Sequence, residues 1–308
     1  MIDKRWPENE MHKRLKIRSL VIQAIRDFFT LNHYLEVDTP IRSPNIIPEA
    51  HIDPVTTEEC YLQASPELCM KRLLSKGFEK IFQICKCFRK NERGSHHLPE
   101  LTMLEWYTKD NTYLDLMEQC RELIKFIAAR LDLEDQIKYQ DKIIDLDKQW
   151  QTITVEKAFE IFADKPLEKA LKDNSFDETI SFQIEPFLGN KTPAFLFDYP
   201  ANLASLSKLK PENPEYAQRF EFYIAGIELA NGFTELIDPV EQRIRFEKEN
   251  HHRLLKNMQP VPMPDKFLKD LETMPECSGI ALGIDRLVMI FCNTDSIDDV
   301  VAFTPESL

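Results

Sequence analysis

Glycine is scarce in this chain. There are 7 in 308 residues, where ordinary usage of ~7% would give about three times as many. That excludes a glycine-rich phosphate loop or dinucleotide fingerprint; Gly279-x-x-x-Gly283 has neither the lysine of the first nor the spacing of the second. No apolar run of ~18 residues exists, so no membrane-spanning helix is expected, and Met1 to Glu8 lack the apolar core of a secretory signal. A cytoplasmic protein is expected. Seven cysteines include no CxxC pair. Cys85 and Cys87 share one face of a strand and read as packed, reduced thiols. His96, His97 and His33 have no metal-site spacing, and Ser65 has no GxSxG context for a hydrolase nucleophile. Basic excess is missing too: 39 Lys and Arg against 52 Asp and Glu give −13. A whole-surface grip on nucleic acid is excluded at that charge, while a local basic pocket is not. Repeats, low-complexity tracts and Gly/Ser linkers are absent, so residues 1–308 are expected to form a single domain.

Core-forming residues are abundant, with 20 Phe, 8 Tyr, 3 Trp and 43% hydrophobic residues. Apolar spacing predicts helices over 11–31, 113–131, 155–162 and 240–255. Strands are predicted over 34–41, 80–89, 101–107, 194–199 and 220–228. The strands at 80–89 and 101–107 flank a charged loop and read as a hairpin. Strands with inserted helices, lacking βαβ alternation, predict an α+β domain with an antiparallel sheet flanked by helices.

Three groups could carry chemistry. Arg89, at the end of a strand, precedes the charged loop and then Glu105 and Tyr107. Its planar guanidinium suits a phosphate or carboxylate, and equally an internal ion pair. Glu221, Glu228 and Glu235 surround Asn231-Gly232. The first two are seven apart, so one regular strand would turn them to opposite faces unless a bulge intervenes. Aligned, they would suit Mg²⁺ and a polyphosphate; unaligned, they are solvated surface glutamates. Ser65-Pro66-Glu67 forms a good helix start, with serine as the cap. Arg286 reads as a surface residue or as a phosphate contact at a helix start.

Together and in this order these groups resemble the signature motifs of class II aminoacyl-tRNA synthetases. The first helix with Tyr34 to Pro40 resembles motif 1. Phe88-Arg89 through Pro99-Glu100 to Tyr107 resembles motif 2, and Gly279 to Met289 resembles motif 3. Ala64-Ser65-Pro66-Glu67-Leu68, Met70 to Leu74 and Gly226 to Leu236 are similar to the lysyl-tRNA synthetase subgroup. That subgroup carries an N-terminal anticodon-binding domain of roughly a hundred residues, for which this chain has no place before its first motif. The sequence therefore resembles the truncated paralogues that attach a lysine-type amino acid to elongation factor P. A ligase serving another acceptor, or a lysyl-tRNA synthetase-like protein, is the alternative.

The resemblance implies ATP and Mg²⁺, lysine or (R)-β-lysine as substrate, elongation factor P rather than tRNA as acceptor, and a homodimer through motif 1 and Pro40. It implies that Arg89 and Arg286 are catalytic. Arg89 would contact the α-phosphate and the substrate carboxylate, and Arg286 the γ-phosphate. ATP would also meet Glu92, His97, Glu228, Leu229 and Gly283, while Glu221 and Glu228 would hold Mg²⁺. Ser65, Glu67, Tyr107, Asn231, Glu235 and Ala281 would surround the amino acid. Glu67 would take the backbone-end ammonium, Asn231 the carboxylate, and Glu235 with Tyr107 the side-chain ammonium. Ala281 stands where the synthetases have glycine, a substitution suited to a shifted amino group. The motif 2 loop departs from the synthetase pattern: Lys90-Asn91 precede Glu92, and Leu101 replaces the phenylalanine that stacks on adenine. Five of the seven glycines, at 94, 226, 232, 279 and 283, fall in these motifs.

Overall fold

The computed structural model describes residues 9–308; Met1 to Glu8, where no secretory core is expected, lie outside them. Helix α1 (Glu10–Leu31) occupies the predicted stretch. Asn9 Oδ1 accepts from the His12 amide at 2.8 Å, a cap worth about 1 kcal/mol. At its far end Asn32 Nδ2 donates to the Phe28 carbonyl at 2.9 Å, and His33 turns left-handed with φ 65°. The strand predicted from Tyr34 to Ile41 is short. Only β1 (Leu35–Glu36) forms, pairing parallel to β2 (Lys80–Phe88), before Pro40 ends the run without a backbone donor.

After α2 (Glu67–Leu74), β2 and β3 (Glu100–Lys109) make the expected hairpin. Then come α3 (Tyr113–Arg130), β4 (Gln151–Thr154), α4 (Val155–Phe162), β5 (Ala194–Pro200) and β6 (Leu209–Lys210). The strand predicted over 220–228 is instead a hairpin of β7 (Asn213–Ile224) and β8 (Ile227–Thr234). Ala225 and Gly226, at φ 57° and 85°, make the two-residue turn. A Cβ on Gly226 would also meet the Glu185 carbonyl at 3.2 Å. Helix α5 (Pro239–Leu255), β9 (Cys277–Gly283) and α6 (Ile284–Phe291) complete the frame.

The sheet runs β1-β2-β3-β9-β8-β7-β5-β4, with β6 alongside β7. It is antiparallel from β2 to β5 and parallel only at its two ends. Helices α1, α3 and α6 cover one face. There Phe29 stacks on Phe82 at 4.8 Å and packs against Tyr34 and Trp106 at 5.0 and 5.2 Å. Burying each such ring contributes roughly 1.5–3 kcal/mol. On the other face α2, α5 and the helix Asp265–Leu271 pack around Met70, Ile81, Tyr107 and Phe246, leaving a cavity beside them. Among the described residues no helix is long and apolar enough to cross a membrane.

Candidate active site

Strand register builds the cavity floor. On the face away from α1, one row across the sheet reads Arg219, Phe233, Gly279, Tyr107, Ile81, and the next reads Glu221, Asn231, Ala281, Glu105, Gln83. Alternation alone carries these side chains to one face. Glu228 joins them because the β7–β8 register shifts between Phe222 and Tyr223, so that Leu229 is an extra residue and Glu228 opposes Tyr223. Glu221 and Glu228 are thus brought together from two strands of a hairpin.

Thirteen of the fourteen expected site residues line one cavity of about 670 Å³. They are Ser65, Glu67, Arg89, Glu92, His97, Tyr107, Glu221, Glu228, Leu229, Asn231, Ala281, Gly283 and Arg286. Glu235 is the exception: it is fully buried behind the wall, next to Gly279 and Tyr107. A second cleft of about 760 Å³, between the segment 156–171 and Tyr216, holds none of the expected residues.

One end of the cavity is acidic. Lys71 Nζ contacts Glu67 Oε1 at 2.5 Å and also the Glu235 carboxylate, with its side chain fully buried. Burial alone would depress the ammonium, but Glu235 and Glu67 outweigh it and hold it up. Beside them Ser65 Oγ donates to Glu105 at 2.6 Å and Tyr107 Oη donates at 2.9 Å. Ser65 Oγ also accepts from the Glu67 amide at 3.0 Å, but the cap position of α2 falls to Pro66 and not to the expected serine, because the first intrahelical bond runs to the Pro66 carbonyl. Burial, reinforced by Glu67, pushes Glu105 up to about 8 against those donors and Lys71. Burial also raises Glu235 well above the usual range, Lys71 opposing and Glu67 and Glu105 adding. Three carboxylates around one ammonium leave this end short of positive charge.

The other end is cationic. Arg89 Nη1 lies 3.5 Å from Glu92 Oε2, and its buried Nε has no partner among the described residues. Arg219 donates to Glu221 Oε1 at 2.8 Å, to Asn231 Oδ1 at 3.2 Å and to the Leu203 carbonyl at 2.7 Å, over the Tyr199 ring. Arg286 donates to the carbonyls of Glu228 and His96 at 2.8 and 3.2 Å and meets His97 Nε2 at 2.6 Å. Burial and Arg286 hold both imidazoles below their ordinary range, which favours their neutral forms. Asp285 fixes the start of α6, accepting from the Thr102 amide at 2.6 Å and pairing with Arg18 at 2.7 Å.

Two carboxylates suit a divalent cation delivered with a polyphosphate. Burial and then the neighbouring Glu221 raise Glu228, with Arg286, Arg219 and Arg89 opposing. Tyr223 Oη reaches Glu221 at 2.6 Å and Glu185 at 3.2 Å, which orients Glu221. Mg²⁺ takes one or two carboxylates and fills its remaining positions from water and phosphate, so the donor set fits. The orphaned Arg89 Nε likewise fits an anionic oxygen.

Sequence reasoning missed several residues here. Lys71 had a signal, being four residues after Glu67 on a helix. Arg219 alternates with Glu221 on a strand, as Glu105, already grouped with Arg89 from the sequence, alternates with Tyr107. Glu49, which lines the cavity, comes from an irregular loop, and Glu185 from the short 3-10 turn Glu185–Phe187, and neither has a periodicity to read.

The model of the family described as tRNA synthetases class II (D, K and N) matches residues 3–307. An elongation factor P–(R)-beta-lysine ligase of Photobacterium profundum is 37% identical over 315 residues, covering 97% of each chain. Like-named proteins of Vibrio campbellii and Pectobacterium carotovorum subsp. carotovorum are 36% and 37% identical, covering 97% and 98% of each chain. With its motifs gathered on one face of an antiparallel sheet, the chain belongs to the class II tRNA synthetases of the D, K and N type and, within them, to the elongation factor P–(R)-β-lysine ligase family.

Proposed function

We propose that this protein activates a lysine-type amino acid, (R)-β-lysine, with ATP and transfers it to a lysine side chain of elongation factor P. The observation that carries the reading is the polarity of the cavity: Glu67, Glu105 and Glu235 around Lys71 at one end, Arg89, Arg219 and Arg286 at the other. A diamino acid puts two ammonium groups at the first end and its carboxylate at the second, where ATP's phosphates also lie. The names of the relatives support the same substrate and acceptor.

In the first half-reaction a carboxylate oxygen of the amino acid attacks the α-phosphorus and pyrophosphate leaves. Arg89 offsets the charge gathering on the α-phosphate, Arg286 holds the γ-phosphate, and His97 keeps Arg286 in place. Glu92 steadies Arg89 from the loop, and Leu229 and Gly283 leave room for adenosine. Glu221 and Glu228 would hold Mg²⁺, and the ion would supply positive charge against the phosphates of ATP. Glu67 takes the ammonium nearer the carboxylate, and Asn231, held by Arg219, takes the carboxylate itself. Glu235 and Tyr107 set the charge at the far end, and Ser65 holds Glu105 while Ala281 narrows the floor. No enzyme nucleophile is required, and positioning supplies much of the rate. We further propose one catalytic domain over residues 1–308, working in the cytoplasm as a homodimer through α1 and Pro40; a 36 kDa species by light scattering would refute the dimer.

Pyrophosphate exchange tests the activation step. Exchange dependent on (R)-β-lysine or α-lysine is expected, and its absence with both would overturn the reading. Intact mass of elongation factor P and tRNA, offered together, identifies the acceptor.

A further inference from the structure

Glu49 lies in the irregular stretch between residues 44 and 55 and lines the cavity near Arg89. The loop's backbone is pinned. Ala50 donates to Glu249 of α5 at 2.9 Å, Arg253 of α5 donates to the carbonyls of Glu49 and Ile52 at 2.8 and 2.9 Å, and Lys90 donates to the Asp53 carbonyl at 2.9 Å. Yet the Glu49 carboxylate has no hydrogen bond or ion pair among the described residues. The other glutamates lining the cavity are engaged: Glu67 with Lys71, Glu92 with Arg89, Glu105 with Ser65 and Tyr107, Glu221 with Arg219 and Tyr223, Glu228 with Arg286, and Glu249 with Ala50. Asp177, also at the cavity, is exposed.

The chemistry of the second half-reaction calls for such a group. A lysine acceptor arrives as an ammonium, with roughly one part in a thousand free base near neutral pH. An ammonium has no lone pair, so a base must take a proton before attack. Burial pushes Glu49 up to about 7, Glu67 and Glu249 adding and Arg89 and Arg219 opposing. His51, on the same loop, stands at the exposed rim of the cavity. A carboxylate with that balance accepts a proton readily and still ionises at physiological pH.

We propose that Glu49 is the general base of the transfer step, an assignment that rests on the functional reading above. Its carboxylate takes one proton from the acceptor ε-ammonium. The freed lone pair attacks the acyl carbon, and the bond from that carbon to the phosphate oxygen of the adenylate breaks, its electron pair leaving with AMP. The second nitrogen proton passes to the departing phosphate, and the amide remains. Glu49 then releases its proton to water.

The test separates the two half-reactions. Enzyme preloaded with lysyl-adenylate is mixed with elongation factor P from pH 6 to 9 and followed through a single turnover. The wild-type rate should rise through an ionisation near pH 7. Glu49→Gln should lose that inflection and transfer roughly 100-fold more slowly, while pyrophosphate exchange changes less than about threefold. Glu49→Asp should restore part of the rate. Hydroxylamine, unprotonated at neutral pH, should be acylated equally by wild type and Glu49→Gln. Parallel loss of exchange and transfer would overturn the proposal in favour of amino-acid binding, as would an inflection that survives in Glu49→Gln. Wild-type enzyme lacking exchange altogether would overturn the functional reading itself.

Discussion

Lys71 and Glu235 form an ion pair in which neither side chain reaches solvent. The pair lies behind the wall of the cavity, with the Lys71 ammonium 5.1 Å from the centre of the Phe233 ring. Glu67 is its other partner, and this side chain does reach the cavity. Lys71 therefore ties a carboxylate in the pocket to one beneath it.

Breaking that pair on one side should be strongly destabilising. Lys71→Met leaves Glu235 buried without a counter-charge, and a loss of about 3–5 kcal/mol is expected from urea unfolding. The double variant Lys71→Met, Glu235→Leu should recover much of it. Equal instability of the single and double variants would show that the pair does not act as a unit.

Glu235 lies behind the cavity wall and reaches the amino acid only through Lys71 and Glu67, so Glu235→Ala should raise the KM for the amino acid by roughly 10-fold as those two side chains re-pair. The KM for ATP should stay nearly constant, since the nucleotide end is remote. Pyrophosphate exchange measures both. An unchanged amino-acid KM would reject any part for Glu235 in substrate recognition.

Ligand-free protein should lose stability as pH rises towards 8. Native Glu105 ionises only at about 8, whereas an unfolded glutamate ionises near ~4.3. Between those values the native state holds a proton that the unfolded state has released. Its contribution is therefore complete below the lower value and lost through the upper. Glu105→Gln should reduce the fall of the urea midpoint over this window, the remainder belonging to Glu49 and Glu235, and a slope as steep as in the wild type would assign it elsewhere. A diammonium ligand favours the ionised form, so calorimetry in two buffers should detect proton release on binding at pH 7.

Two glycines of motif 3 should respond differently to alanine. A Cβ on Gly279 would fall 2.2 Å from Tyr107 Cε1 and 2.4 Å from Glu235 Oε1. Gly279→Ala should therefore lower the melting temperature and abolish exchange. A Cβ on Gly283 would meet nothing nearer than 3.9 Å. Gly283→Ala should melt normally and raise the KM for ATP if adenosine lies against that backbone. A normal KM would place the nucleoside elsewhere.

Regular elements were legible because their periodicity is chemical. The buried Val21, Ile25, Phe28 and Phe29 place α1 to within a residue of the observed helix; of the two strands of motif 2 the first ends one residue short of its prediction and the second runs slightly past it at both ends. The β7–β8 turn was hidden because Ala225-Gly226 interrupts a stretch that is apolar on both sides, and a tight turn needs only two residues. Site residues on strands were named from motifs, and their convergence depended on register that a single sequence does not display. Glu49 was invisible for another reason. It is held by contacts with α5, about 200 positions away, and loops carry no repeating pattern to mark them.

The extra residue at Leu229 sets the phase of β8. One residue added opposite it in β7 would let the ladder run regularly and carry Glu228 to the face covered by α1, α3 and α6, leaving Lys71, Glu105 and Tyr107 undisturbed. On the proposed function, such a chain would keep the acidic end for a diamino acid and lose one of the two carboxylates proposed for the metal-bound nucleotide. On this scaffold an amino-acid sensor and an amino-acid ligase stand a single codon apart.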